Sequence, residues 1–146
     1  MKHIFTCSFR AAIILMGVLL SACSMQFISD YDEASIQDMR SVARMVDTFY
    51  VMLAEVPVEQ RQYQNSAFEY SRIKVELNAL KLSQEVRPMN ELTARQVQIA
   101  IDLWQQDIDA HKAKNGISNF ILNKHRKQFN RLFRSMILGE QSKPTN

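Results

Sequence analysis

Cysteine, glycine and proline are all scarce in this chain of 146 residues, which has two cysteines, three glycines and three prolines. Each scarcity removes a class of architecture or chemistry. Two cysteines, Cys7 and Cys23, make no thiolate cluster for a metal, and the sequence has neither a His-Glu-x-x-His nor a Glu-x-x-His helix pattern. With Gly17, Gly116 and Gly139 as the only glycines, there is little from which to build a phosphate-cradling loop or a nucleophile elbow. Strand-like alternation is never sustained, and there is no internal repeat or low-complexity tract. The composition points away from an enzyme, a metal carrier and a β fold.

The one long apolar run is short. Lys2, His3 and Arg10 precede Ala11 to Leu20, and the small residues Ser21 and Ala22 follow. That order is the layout of a secretory signal. The run is about half of the roughly 20 residues a transmembrane helix requires, and Arg10 stops its extension toward the N-terminus.

Leu20-Ser21-Ala22-Cys23, placed directly after such a run, resembles the lipobox of bacterial lipoproteins. The resemblance implies a diacylglyceryl thioether on Cys23, cleavage before it, and acylation, typically with palmitate, of the new N-terminus. Three acyl chains exceed the two signals that stable anchoring requires. Ser24 stands where an aspartate would signal retention in the inner membrane, so the resemblance implies the outer membrane, periplasmic side. The expected organisation is a leader over 1–22, a lipidated tether over 23–28, a helical bundle over 29–139 and a disordered tail over 140–146. Cys7 then leaves with the leader and Cys23 is taken by lipid, so no disulfide is available and packing alone must hold the fold.

Loss of Lys2 and Arg10 leaves 16 basic against 15 acidic residues, a formal charge of +1. Nothing in that balance argues for nucleic acid, which a periplasmic protein does not meet. The distribution is uneven, however. Residues 24–111 hold 8 basic and 14 acidic residues, and 112–146 hold 8 basic and 1 acidic. Such a dipole fits either complementary helices within the fold or a partner surface.

Apolar spacing and the breakers Pro57, Pro88, Gly116 and Gly139 divide the chain after Cys23 into four amphipathic helices. The first is expected to be capped by Ser29 or Asp30, with Asp32 and Glu33 set against the helix dipole. It presents Met39, Val42, Val46, Phe49 and Leu53, while Tyr50, one position off, faces outward. The second has two candidate starts, Pro57 in a first turn or a Ser66–Glu69 capping box, and presents Tyr63, Tyr70, Ile73, Leu77 and Leu80 until Pro88. In the third, Thr93 and Gln96 suit a capping box, Leu92 and Val97 a hydrophobic staple, and Val97, Ile101, Trp104, Ile108 and His111 form the stripe that Gly116 closes. The fourth opens on Ser118, turns Ile121, His125, Phe129, Leu132, Phe133 and Met136 inward, and ends at Gly139. Four such helices joined by short breaks predict an all-α antiparallel bundle, with a hairpin completed by homodimerisation as the alternative.

Two groups of residues carry candidate chemistry. Asp107 and His111 share a helix face, with Asp102 and Asp109 nearby; without a third convergent ligand, a histidine at the edge of the core is the better reading, and no metal or cofactor is expected. Lys124, Lys127, Arg131 and Arg134 recur at three, four and three, a cationic ridge on the fourth helix that Arg126 broadens. It suits an anionic surface, whether lipid headgroups, lipopolysaccharide phosphate or an acidic protein partner; the alternative is a solvated face paired loosely with acidic residues on a neighbouring helix.

Tyr31-Asp32-Glu33, the run 47–53 (DTFYVML), and Asn90 with Thr93 and Gln96 are similar to small helical lipoproteins of proteobacteria, a resemblance that implies no activity. The expected function is therefore a non-catalytic envelope interaction or structural role. The alternative is a role like that of pilotins, helical lipoproteins of this size that escort secretin subunits by holding a partner helix in a groove. This sequence lacks the disulfide found in some of them.

Overall fold

A computed structural model describes residues 28–145. The expected leader and residues 23–27 of the expected tether, with Cys23, lie outside the described residues. Four α-helices, α1 (Glu33–Glu55), α2 (Tyr63–Glu85), α3 (Glu91–Lys114) and α4 (Asn119–Gln141), run up and down in an antiparallel bundle, with a single 3-10 turn, Val58–Gln60, between the first two. Each helix packs on two neighbours. The α1–α4 and α2–α3 seams are the most extensive and the α3–α4 seam the thinnest. None of the described helices is long and apolar enough to cross a membrane.

The helices form where the apolar spacing puts them, but their ends differ from expectation. Asp32, not Ser29 or Asp30, caps α1: its carboxylate accepts from the Ala34 and Ser35 amides. Those bonds occupy donors that a helix N-terminus otherwise leaves free, and with the Ser35 hydroxyl, the foremost cause, they hold the Asp32 carboxyl below its usual range. Ser66 and Thr93 cap nothing. Both are buried inside their helices, where packing claims the position. The start of α2 is served from across the bundle instead, by Asn115 Oδ1 accepting from the Tyr63 amide at 3.1 Å. Leu92 is 68% exposed, so no staple forms. Pro57 leads the 3-10 turn rather than α2.

Asn115, rather than Gly116, takes the left-handed conformation that ends α3, with φ 47°; asparagine tolerates it because its side chain bonds locally. Ser118 does cap α4, accepting from the Ile121 amide. Gly139 does not end it. The helix continues to Gln141, and residues 140–144 of the tail expected to be disordered are instead tied down through Glu140, Lys143 and Pro144. A glycine inside a helix costs about 1 kcal/mol, and the buried contacts of its neighbour Glu140 offset that cost.

Trp104 is the centre of the core and fully buried. Phe49, Tyr50 and Phe129 meet it edge-on at ring distances of 5.2, 5.9 and 5.7 Å, and its indole N–H donates to the Tyr70 carbonyl at 3.0 Å. Edge-to-face contacts suit the ring quadrupoles, and the buried N–H has the partner it needs. Tyr50 therefore faces inward, contrary to expectation. α1 lies between α2 and α4, so two adjacent positions can both be buried: Phe49 against Tyr70 and Tyr50 against Phe129.

Candidate functional site

Three polar features are built on this frame. The first is the cationic ridge. Lys124, Lys127, Arg131 and Arg134 are all exposed on α4, and among the described residues no carboxylate pairs with any of them. Arg126 is not part of it. Its guanidinium turns to α1 and grips Asp47 through Nε at 2.7 Å and Nη2 at 3.0 Å. Those bonds, with one from Asn130, hold the Asp47 carboxyl below its usual range. The acidic and basic halves of the chain thus neutralise one another at one point on this seam, and the ridge itself is left over.

The second feature is a cleft of about 470 Å³ at the loop end of the thin α3–α4 seam. Val58, Ala110, Ile117 and Ile121 form apolar walls, and Asp107, His111 and His125 line its base. Asp107 is buried. The Tyr50 hydroxyl donates to its carboxylate, and His125 Nδ1 lies 2.7 Å from Oδ1, close enough for an ion pair but off the line of a hydrogen bond, so that this buried nitrogen has no hydrogen-bond partner. Burial pushes the Asp107 carboxyl above its usual range despite Tyr50 and His125, which pull the other way. The same burial, with the Asp107 charge beside them, drives the Tyr50 and Tyr70 hydroxyls far up, so both act as donors rather than phenolates.

His111 is buried and fully engaged. Its Nε2 meets the Arg61 carbonyl at 2.8 Å and its Nδ1 the Tyr70 hydroxyl at 3.0 Å. Because a carbonyl can only accept, Nε2 carries a proton and is closed to a metal. Asp102 and Asp109 point away, accepting from Gln98 and Gln105 on the exposed side. The residues that share a stretch of α3 in sequence therefore diverge, and among the described residues no three His, Cys, Asp or Glu side chains are grouped to hold a metal.

The third feature, absent from the sequence reading, is a buried clasp where both ends of the bundle segment meet. Glu140 is 1% exposed and accepts from Arg87 Nη2 at 2.9 Å and Lys143 Nζ at 2.6 Å. Burial alone would raise its carboxyl, but the two cations more than offset this and hold it below its usual range. Lys143 also donates to Ser29 and Asn90, at 2.8 and 2.6 Å, and Arg87 to the Asp30 carbonyl at 2.6 Å. Backbone bonds from Ser29 to Met89 and from Tyr31 to Pro144 complete it. One signal for it was present: Glu140 is the sole acid among the last 35 residues and stands three before Lys143.

No family model, curated protein or solved structure matches this chain. The functional reading rests on the residues and their geometry.

Proposed function

We propose that this chain is an outer-membrane lipoprotein, anchored through lipid on Cys23, whose periplasmic bundle acts by contact with the envelope rather than by catalysis. The observation that supports it most is the clasp. Ser29, Asp30 and Tyr31 are bonded into the bundle, and Cys23 stands six residue steps before Ser29. Covalent geometry limits that span to roughly 20 Å. A domain fastened this closely to its lead is held against whatever Cys23 is attached to, as a contact protein requires. Its reactive side chains favour the same reading, since His111, Tyr50 and Tyr70 are spent on core hydrogen bonds.

Metabolic labelling with tagged palmitate and membrane fractionation test the anchor. The wild type should incorporate label and sediment with the outer membrane, and Cys23→Ser should do neither. Label retained by Cys23→Ser would overturn the lipid assignment, and recovery in the inner membrane would overturn the address taken from Ser24.

The α3–α4 cleft favours a second reading, the pilotin-like one, because a thin seam with apolar walls is where a partner's helix could enter. Co-purification of a secretin that is lost on Ile121→Glu would promote it, and its absence from crosslinked wild-type complexes would remove it.

A further inference from the structure

The ridge on α4 is one part of a longer stripe. Phe120, Lys124, Lys127, Arg131, Arg134 and Leu138 follow one another at four, three, four, three and four residues, a spacing that keeps all six on one helix face. That face is the one opposite the core stripe Leu122, Phe129, Phe133 and Met136. The two apolar members are 74% and 53% exposed, so the stripe is cationic in the middle and apolar at both ends over about 27 Å of helix.

We propose that this stripe docks α4 lengthwise on an anionic phospholipid bilayer, Phe120 and Leu138 entering the acyl boundary while the four cations meet lipid phosphates. This deepens the reading above by naming the partner, and it rests on that reading only for where such a bilayer is met.

Five considerations favour a bilayer over an acidic peptide. The cations have no carboxylate partner among the described residues, and α4 itself carries no acidic residue before Glu140. The stripe is the convex back of a helix, whereas a peptide needs a groove; the clefts that α4 helps to line lie at its seams, through Asn130 on the α1 side and Ile121 and His125 on the α3 side. Lys and Arg can lay their aliphatic stems along an apolar boundary and keep their charges at the headgroups. Exposed Arg44 borders the α1 seam beside Asn130 and extends the basic surface sideways. Finally, the Leu138 end adjoins the clasp that fixes Ser29, so a lead from a bilayer arrives at one end of the stripe and the helix can lie down from there.

The test uses the unlipidated chain from residue 23 onward, carrying Cys23→Ser and Phe120→Trp. Trp104 is wholly buried and supplies a constant background, so any new emission change comes from position 120. Vesicles of phosphatidylcholine alone are compared with an equal mixture of phosphatidylcholine and phosphatidylglycerol. The indole at position 120 should shift to the blue and be quenched by brominated acyl chains only in the anionic vesicles, and salt should reverse it. At about 1 kcal/mol per cation near such a surface, adding Lys127→Gln and Arg131→Gln should weaken binding by about 10- to 30-fold. Phe120→Ser, in a chain with its indole at Leu138 instead, should weaken insertion and leave the salt-sensitive adsorption.

Equal insertion in neutral vesicles, none in either, or an unchanged affinity on neutralising the two cations would each overturn the proposal. So would binding to soluble polyglutamate as tight as to the anionic vesicles, which would make the partner an acidic protein. The chain used here has no lipid, so these outcomes are independent of the palmitate test: the stripe can fail while the anchor stands, and the reverse.

Discussion

The clasp makes a quantitative prediction through Glu140→Gln. The substitution keeps the shape of the side chain and removes its charge. In the wild type the carboxylate is fully buried and lies between Arg87 and Lys143, whose side chains are 16% and 9% exposed. The variant leaves two mostly buried cations without a counter-charge, and breaking a buried pair from one side costs about 3–5 kcal/mol. A domain of this size has about 5–15 kcal/mol in all, so the variant should still fold but lose a large share of its stability. With a urea dependence of about 2 kcal/mol per molar, the denaturation midpoint should fall by about 1.5–2.5 M.

The pH dependence of that difference tests the cause. The Glu140 carboxyl is held below its ordinary value in the folded state, so its contribution is fully present above the unfolded value and is lost as pH falls through the folded one. The gap between wild type and Glu140→Gln should therefore be widest near neutrality and close toward strongly acidic pH, because the wild type then protonates the same group. Urea titrations of both proteins across that range make the measurement. A midpoint unchanged by the substitution, or a gap that does not narrow in acid, would show that Glu140 is not held as a buried ion pair and that the end of α4 is loosely attached.

Three further substitutions test other parts of the frame. Trp104→Ala removes the hub of five packed rings and should cost about 3–5 kcal/mol, read as a lower urea midpoint; a cost below about 1 kcal/mol would mean the aromatic centre is not close-packed. Asp32→Ala removes the cap of α1 and should cost about 0.5–2 kcal/mol, checked by thermal unfolding against the wild type, and no change would return the cap to Ser29 or Asp30. Asp107 behaves oppositely to Glu140. Burial raises its folded value, so its contribution is present below the unfolded value and lost as pH rises through the folded one. Asp107→Asn should thus gain on the wild type as pH rises from acid toward neutral, and a pH-independent difference in urea midpoints would refute the assignment.

The four helices, their order and most of the core were legible because burial repeats every three or four residues and leaves that pattern in the sequence. The caps were not. Ser66 and Thr93 have the right chemistry for a cap, but each falls where its helix packs, and the actual cap of α2 is Asn115, 52 residues away in the chain. Tyr50 was assigned outward because a single stripe has room for one of two neighbours; a helix wedged between two others buries a wider arc. Buried charge is the least visible of all. Arg61 is 3% exposed and holds the carbonyls of Ala54, Val56 and Ile117, yet in sequence it is one more polar residue in a loop. The ridge was legible for the converse reason: an unpaired row on one face depends only on helical spacing, and Arg126 was misassigned because its partner Asp47 belongs to another helix.

The two ends of the bundle are unlike in a way that bears on function. At one end the first and last turns are bonded together by Glu140, Lys143, Ser29 and Tyr31, so tension on the N-terminal lead falls on charge-assisted bonds between α1, α4 and the loop before α3. Those bonds must break before the aromatic core is reached. The α3–α4 seam is the thinnest of the four, and the cleft beside Asp107 and His125 lies at its other end. Separating that seam leaves the clasp intact, because none of the cleft's lining residues belongs to it. On the pilotin-like reading, a partner helix entering that cleft would leave the clasp untouched. On that reading Ile121→Glu should abolish secretin capture while leaving the Glu140-dependent stability gap unchanged, and a loss of both together would show that the two ends are not independent.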